Sequence, residues 1–273
     1  MSENRLLSEG YVNDIRASVG YFEPDPYLVL GESDSMHGVM FGVMPELGQV
    51  AIKPFQRLGK AQAEEHNLRN VAERGFDALE PITVASGGLA SYLITERRKG
   101  LRHLGQMDWS TDVASKRLSN VLVPALGVAA QTAADWHSAK ITHGDMQIKN
   151  MAYDVHGNSV YIDAEKTAIG TSLPSHLTQL AHKDLGMLTS SVLHSSRGFL
   201  HDKSPSYRVG VVTESFIDPY LDAAKPEQFA LSPEVRRKAI VDWLTAYVNT
   251  RGSMPTFTIS GLEAPRARPK AAA

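Results

Sequence analysis

The first hundred residues alternate between short apolar runs and polar turns, a pattern that predicts strands. The runs are Tyr27–Leu30, Val39–Met44, Gln49–Phe55, Pro81–Ala85 and Ser91–Glu96. The sequence PELG separates the second run from the third and is typical of a tight turn, so we expect the first three strands to form an antiparallel meander. Lys60–Arg74 instead has apolar residues at helical spacing, and Gly75 is placed to end that helix.

The second half of the chain is mostly patterned as helices. Ser110–Ala139 has apolar residues three and four positions apart, and Pro124 is placed to divide it into two helices. Further along, His182–Leu193 and Pro233–Asn249 are amphipathic. Between these helical regions, NMAYDV and SVYID alternate as two strands around the turn residues HGN. The pattern as a whole predicts a β-rich part followed by a larger helical part.

Composition narrows the class of protein. The 273 residues are 42% hydrophobic and 21% charged, which is ordinary for a globular protein. A net charge of −2 argues against nucleic acid or an anionic membrane as a partner. There is no cysteine, no signal-peptide core and no apolar run long enough to span a membrane, so we expect a cytoplasmic protein without disulfides or thiolate metal sites. Residues 264–273 are rich in Pro, Ala and basic residues and are expected to form a disordered tail.

Candidate chemistry is concentrated in the segment THGDMQIKNMAYDVHGNSVYIDAEK. Asp145 and Asn150 lie five residues apart, and Asp163 follows thirteen residues after Asn150, beyond the predicted hairpin. A hairpin returns its second strand to the start of the first, so Asn150 and Asp163 would offer two hard oxygen ligands to Mg²⁺. Asp145 would lie nearby in a loop, where a carboxylate can accept a proton or orient a hydroxyl. These are the parts that phosphoryl transfer from ATP requires.

The pattern HGD-xxxx-N followed by an apolar strand ending in Asp resembles the catalytic loop and metal-binding Asp of the protein-kinase-like superfamily. Gly144, where most eukaryotic protein kinases have Arg, points to the atypical branch. That branch includes the aminoglycoside and choline kinases and the RIO and KEOPS kinases. The resemblance implies an α+β, bilobal protein-kinase-like fold, with an N-lobe at residues 1–96 and a helical C-lobe at residues 97–263. It also implies ATP and Mg²⁺ as donor and cofactor.

The nucleotide-binding residues implied by this resemblance lie mostly in the first half. Lys53 in VAIKPF matches the strand lysine that holds the α- and β-phosphates, and either Glu64 or Glu65 would pair with it, with Glu65 preferred. The usual glycine-rich phosphate loop is absent. GESDSMHG stands in its place, where Ser33, Ser35 and Gly38 would contact phosphate.

Other parts of the motif set depart from the common pattern. SYLITERRKG resembles the hinge between lobes, where backbone groups of Glu96 to Arg98 would meet adenine. Asp163 is followed by Ala and Glu instead of Phe and Gly, and Glu165 is a candidate further metal ligand. Lys149 is a candidate contact for the transferred phosphate.

Two more residues are assigned supporting roles by the resemblance. Asp184 resembles the acidic helix residue that braces the catalytic loop. His143 is expected to hold that loop by hydrogen bonds, and we do not expect it to act as the base.

The phosphate acceptor stays open among three alternatives. The 49 residues from Glu96 to Asp145 leave no room for the helical insertion that aminoglycoside kinases carry, which favours a protein Ser or Thr. That protein would be the chain itself or a cognate partner, such as a toxin that this chain would neutralise as an antitoxin. The second alternative is a small-molecule hydroxyl kinase of the aminoglycoside or choline kinase type. The third is a pseudokinase that binds nucleotide with little turnover. The oligomeric state is not predicted.

Overall fold

The structure is a computed structural model that describes residues 3–29, 38–104, 118–195 and 204–249. The chain divides into two compact units. The first comprises Met1–Arg102 and Ala152–Thr167, and the second comprises His103–Met151 and Ala168–Ala273. The expected tail at residues 264–273 lies outside the described residues.

Seven α-helices and ten strands follow one another in the described part of the chain. The helices are α1 (Glu3–Val19), α2 (Leu58–Glu73), α3 (Leu118–Ser138), α4 (Pro174–Ser195), α5 (Pro205–Val212), α6 (Asp218–Ala223) and α7 (Pro233–Asn249). The strands are β1 (Glu23–Val29), β2 (Met40–Met44), β3 (Gly48–Phe55), β4 (Pro81–Ser86), β5 (Ser91–Glu96), β6 (Arg102–His103), β7 (Ile141–Thr142), β8 (Met151–Tyr153), β9 (Ser159–Tyr161) and β10 (Ala168–Ile169).

The first unit is built on an antiparallel sheet with the strand order β1-β2-β3-β5-β4. The predicted meander is confirmed by β1, β2 and β3, and the two further strands and the helix α2 are also found. One face of the sheet buries a cluster that includes Met40, Val50, Ile52, Tyr92 and Ile94. Alternate residues of a strand point to the same face, so the apolar alternation in the sequence determines which face is buried.

Helix α1 was not predicted, because its sequence has few apolar residues and no clear helical stripe. Ile15 on this helix is fully buried in the same core as the sheet. Asp14 accepts hydrogen bonds from the backbone N–H groups of Gly88 and Leu89, at 2.7 and 3.0 Å. The hydroxyl of Tyr92 also donates to Asp14, at 2.5 Å. The helix is therefore attached to the turn between β4 and β5.

We expect Asp14→Ala to lower the free energy of unfolding by about 1–3 kcal/mol, because the buried Tyr92 hydroxyl and two backbone donors lose their acceptor. The control is Glu9→Ala, since Glu9 is an exposed residue of the same helix. Chemical denaturation of both variants measures the difference. Equal unfolding midpoints for Asp14→Ala and the wild type would contradict this role for Asp14.

The helix α3 corrects an expectation about Pro124. The helix is a single element from Leu118 to Ser138 and runs through Pro124, where we expected a division into two helices. Proline removes one backbone hydrogen bond from a helix. The Pro124 side chain is exposed here, and the residues that follow Pro124 bury a continuous face of the helix. The buried residues of that face include Leu126, Ala129, Ala133 and Trp136. Burial of this face in the second unit outweighs the cost of the proline.

The rest of the second unit is also helical. Helix α7 has the predicted bounds, and α4 extends the predicted helix at its N-terminal side to Pro174. Helices α5 and α6 were not predicted, and a π-helical segment, Thr213–Ile217, joins them. Pro and Gly residues interrupt the apolar pattern in this stretch, which hides it from a periodicity argument. No helix of the described residues is both long enough and apolar enough to cross a bilayer.

Candidate active site

Lys53 lies at the centre of a cluster of charged side chains in the first unit, formed with Glu64 and Asp163. It projects from β3, where Ile52, one position before it, and Phe55, two positions after it, are buried. Its ammonium group donates to the carboxylate of Glu64 at 2.7 Å and also to the carboxylate of Asp163. The same ammonium group lies 5.0 Å from the centre of the Phe55 ring. Three elements, β3, α2 and the segment after β9, therefore each contribute one charged group to this cluster.

The charges of this cluster perturb one another. Burial alone would lower the pKa of Lys53, but the carboxylates of Glu64 and Asp163 outweigh it and raise the pKa above its ordinary value. Burial is the largest cause that brings the pKa of Glu64 up to about 7, with Lys53 opposing the shift and Asp163 adding to it. Lys53 is thus a cation held between the side chains of Glu64 and Asp163.

The partner of Lys53 is Glu64, and our preference for Glu65 was wrong. Glu64 is 3% exposed and faces Lys53, whereas Glu65 pairs with Arg69 at 3.1 Å along the helix surface. Adjacent helical residues point about 100° apart, so only one of the two can face the sheet. The buried residues Ala61, Leu68 and Val71 lie three, four and seven positions from Glu64. Their spacing was the signal in the sequence that could have chosen Glu64.

The backbone at Asp163 is held in an uncommon conformation. Its φ and ψ are 55° and 53°, in the left-handed region, and a 3₁₀ turn, Ala164–Lys166, follows directly. Asn67 of α2 donates its side-chain amide to the carbonyl oxygens of Ala164 and Thr167, at 2.8 and 3.3 Å. Helix α2 therefore fixes the turn that carries Asp163.

Glu165 lies in the same turn and pairs with Lys60 of α2 at 2.6 Å. Our reading of the sequence did not identify Lys60 or Asn67. One face of α2 carries three polar residues, spaced four and three positions apart: Lys60, Glu64 and Asn67. Lys60 and Asn67 contact the segment Asp163–Thr167, and Glu64 contacts Lys53, the lysine that pairs with Asp163. A polar stripe at positions i, i+4 and i+7 of a helix was the available signal.

The donor chemistry of Asp163 and Glu165 fits a hard divalent cation. Each carboxylate already has a lysine ammonium group as its partner, so both are placed to hold positive charge. In the described part of the chain, no three His, Asp or Glu side chains form a complete metal site. Mg²⁺ needs no such set, because it commonly binds one or two carboxylates and completes its shell with phosphate oxygens and water.

Asp145, Lys149 and Asn150, the residues predicted to form the catalytic loop, belong to the second unit. Asp145 is half-buried, and its carboxylate accepts a hydrogen bond from Gln147 at 2.7 Å. Asn150 is buried, and its amide nitrogen donates to the backbone carbonyl of Asp145 at 2.8 Å. Since the nitrogen of this amide is engaged, its oxygen is the atom left to bind a cation. The loop thus brings Asp145 and Asn150 together, and Lys149 lies between them in the 3₁₀ turn Ile148–Asn150.

Asp184 braces this loop from α4. Its carboxylate accepts from the backbone N–H groups of His143 at 2.6 Å and Gly144 at 2.8 Å. Asp184 and His143 are both fully buried, and the His143 ring packs at 6.0 Å from Trp136. Gly144 has a positive φ of 75°, which a residue without Cβ adopts freely. The structural role that we expected for Asp184 is therefore present.

Two backbone donors of the segment that resembles a hinge are bonded within the first unit. The backbone N–H of Glu96 donates to Glu80 at 3.0 Å, and that of Arg97 donates to Gln49 at 3.1 Å. These two donors belong to the sheet, so adenine would have to use other backbone groups of this segment. The Arg98 side chain pairs with Asp77 at 2.6 Å. Of the phosphate-loop residues, Gly38 lies two residues before β2, whereas Ser33 and Ser35 lie outside the described residues.

Comparisons with known proteins add to this geometry. A family model described as lipopolysaccharide kinase (Kdo/WaaP) matches residues 49–199, more than half of the chain. A comparison with curated protein sequences found no match.

Solved structures were compared as well. A structure of WaaP in complex with acyl carrier protein is similar over 91% of this chain and 96% of that one, with a TM-score of 0.53 and 18% identity. A structure of the aminoglycoside phosphotransferase APH(3'')-Id from Streptomyces rimosus, in complex with ADP and streptomycin, covers 87% of this chain and 98% of that one. Its TM-score is 0.47 and its identity is 14%.

The similarity to WaaP confirms the predicted α+β kinase-like fold, with an antiparallel N-terminal sheet followed by a mostly helical part. The family match includes Lys53, Glu64, Asp145, Asn150 and Asp163. It favours a kinase for hydroxyl groups outside proteins over the protein kinase that we expected first. On this evidence the chain belongs to the lipopolysaccharide kinase (Kdo/WaaP) family of ATP-dependent kinases.

Proposed function

We propose that this protein transfers the γ-phosphate of ATP to a hydroxyl group of a sugar, with Mg²⁺ as cofactor. The observation that carries the proposal is the cluster in which Lys53 lies between Glu64 and Asp163. A lysine held in this way can bind phosphate oxygens, and the carboxylate opposite it can bind the metal. The sugar as acceptor class rests on membership of a family whose description names lipopolysaccharide.

The reaction is a displacement at phosphorus. The acceptor hydroxyl oxygen forms a bond to the γ-phosphorus, the bond from that phosphorus to the bridging oxygen breaks, and ADP leaves with the electron pair. The hydroxyl proton goes to the carboxylate of Asp145. Gln147 holds that carboxylate in place, and Asn150 fixes the backbone on which it stands. Catalysis of this kind depends on positioning and charge stabilisation more than on covalent chemistry.

Magnesium, when bound, neutralises phosphate charge and orients the transferred group. We propose that Asp163 and Asn150 hold it, with Glu165 as a further ligand. Lys60 bonds only one oxygen of the Glu165 carboxylate, so the other oxygen is available to a metal. Lys149, which is half-buried and follows Ile148 in the loop, is proposed to contact the transferred phosphate.

A protein hydroxyl is the second candidate acceptor. The observation that favours it is the short interval between β5, which ends at Glu96, and Asp145. The α-helix described in that interval is α3, which packs within the second unit. Residues 105–117 of the same interval lie outside the described residues. The protein that carries this hydroxyl would be either a cognate toxin or the chain itself.

The two acceptor classes can be separated in one assay. The purified protein is incubated with ATP and Mg²⁺, alone and with a panel of free sugars, aminoglycosides and lipopolysaccharide core oligosaccharides. ADP release reports turnover, and mass spectrometry of both the saccharides and the intact protein locates the phosphate. The variant Asp145→Asn, purified and assayed in the same way, measures the activity that comes from contaminating kinases.

A mass increase of one phosphate on a saccharide, absent with Asp145→Asn, is the expected result. Phosphate on the protein without any on the saccharides would replace the sugar by a protein hydroxyl. ATP binding with no ADP release for any acceptor would support the pseudokinase alternative and contradict the proposed function.

A further inference from the structure

Arg236 of α7 is a cation buried inside the second unit. Its side chain is fully buried, and its guanidinium group lies 3.5 Å from the centre of the Phe229 ring. Burial lowers its pKa, although the Tyr220 hydroxyl opposes the shift. In the described part of the chain no carboxylate pairs with it, while its neighbour Arg237 forms an exposed ion pair with Asp218. A buried charge without a direct counter-charge is costly, so its hydrogen bonds are informative.

The hydrogen bonds of Arg236 begin a series that leads from its guanidinium group to Asp184. The guanidinium Nη2 donates to the Tyr220 hydroxyl at 2.8 Å, and the hydroxyl lies 2.9 Å from Nδ1 of His137. Guanidinium has no acceptor, so the Tyr220 oxygen accepts from it, and the same hydroxyl shares a hydrogen bond with Nδ1 of His137. Nε2 of His137 lies 3.3 Å from the Asp184 carboxylate. The series runs from the buried Arg236 to the buried Asp184 through Tyr220 and His137.

Other groups pack against this series. Nε of Arg236 donates to Nε2 of His182 at 3.4 Å, and burial together with Arg236 lowers the pKa of His182 to about 3. His182 is therefore a neutral acceptor at neutral pH. Burial raises the pKa of Tyr220 to about 12, so its hydroxyl keeps its proton and can donate. Among the described residues, the two hydrogen-bond partners of Arg236 are thus neutral at neutral pH, and the series leads from Tyr220 to the Asp184 carboxylate.

The far end of the series is the catalytic loop. Asp184 accepts from the N–H groups of His143 and Gly144, which directly precede Asp145. Because hydrogen bonds in a series polarise one another, the cation strengthens the bond from His137 to Asp184 and fixes the orientation of its carboxylate. The carboxylate in turn fixes the backbone before Asp145.

We propose that Arg236 is a positioning residue that holds the catalytic loop through Tyr220, His137 and Asp184. The relevance of this role to catalysis rests on the proposed function of Asp145. The structural effect does not, since the N–H groups of His143 and Gly144 can be observed without any substrate. Arg236 touches neither these N–H groups nor Asp145 in the described structure, so it acts through the series alone.

Hydrogen–deuterium exchange tests the proposal in the full-length protein. Tyr220→Phe removes one oxygen and breaks the series while it keeps the ring, and Arg236→Met removes the cation but keeps an unbranched apolar chain. Arg237→Met is the matched control, because it removes the adjacent arginine on the same helix without touching the series. Peptides that cover His143 and Gly144 are compared with peptides from the β3–β5 sheet.

We expect Tyr220→Phe and Arg236→Met to speed exchange at His143 and Gly144 by about tenfold, with the sheet peptides unchanged. Arg237→Met should leave both sets of peptides as in the wild type. If an acceptor is turned over, the two variants should lower kcat and leave the KM for ATP unchanged.

Unchanged exchange at His143 and Gly144 in Tyr220→Phe would overturn the proposal, even if Arg236→Met proved unstable. Faster exchange in all peptides at once would also overturn it, because that result would assign Arg236 a general structural role. A failure to find an acceptor for the wild type would count against the proposed function but would leave the exchange test standing.

Discussion

Asp145→Asn is expected to lower phosphoryl transfer by about 10²–10⁴-fold, because the acceptor hydroxyl loses its proton acceptor. The carboxamide keeps the size of the side chain, and its oxygen can still accept from Gln147. We therefore expect the fold and the affinity for ATP to stay as in the wild type. Turnover under saturating ATP, with thermal unfolding and nucleotide binding measured on the same samples, tests this.

Asp135→Asn is the matched control for that experiment. Asp135 is an exposed residue of α3 in the same unit, and its carboxylate accepts from Gln131 at 2.8 Å. The control removes one carboxylate from the surface and should retain full activity. Wild-type turnover by Asp145→Asn would exclude Asp145 as the proton acceptor and would leave positioning of ATP as the source of catalysis.

Asp163→Asn is expected to weaken ATP binding in the presence of Mg²⁺ by at least about 10–100-fold, the loss typical of disturbed metal sites. A carboxamide binds Mg²⁺ less well than a carboxylate because it carries no charge. Binding of ATP in the presence of a chelator should change little, since Lys53 and its contact with Glu64 remain. Calorimetric titrations with and without Mg²⁺ separate the two contributions.

Glu64→Gln and Glu65→Gln make a matched pair for the same site. Glu64 is buried against Lys53, whereas Glu65 pairs with Arg69. Glu64→Gln should weaken ATP binding with and without Mg²⁺, because Lys53 loses the partner that holds it. Glu65→Gln should behave as the wild type.

The Asp163 prediction would be contradicted if Asp163→Asn weakened ATP binding equally with and without Mg²⁺. That result would show that Asp163 holds Lys53 and does not bind a metal.

Much of the fold could be predicted from local patterns. Strands β2, β3 and β5 alternate apolar and polar residues or are continuously apolar, and α7 has a clear amphipathic period. Such patterns are visible because each element buries one face and the period of that face is a property of the backbone. The catalytic motif was visible for the same kind of reason, since phosphoryl transfer requires particular side chains at fixed spacings.

Helix α1 was hidden because contacts with distant segments hold it, and the stretch from α5 to α6 was hidden because Pro and Gly residues interrupt its apolar pattern. Asp14 shows this directly, since its partners Gly88 and Tyr92 are more than seventy residues away. A local pattern holds no information about such a partner. The choice of Glu64 over Glu65 could have been made from the sequence, because Glu64 lies at helical spacing from the buried residues Ala61, Leu68 and Val71.

The sequence by itself determined the kinase-like fold class, the strand lysine Lys53 and the spacing of Asp145, Asn150 and Asp163. Tertiary structure alone decided how α2 holds the turn after Asp163 and how Arg236 is linked to Asp184. The physical reason is the range of the interactions involved. Backbone periodicity and motif spacing act over a few residues, whereas these contacts join groups that are 16 to 105 residues apart along the chain.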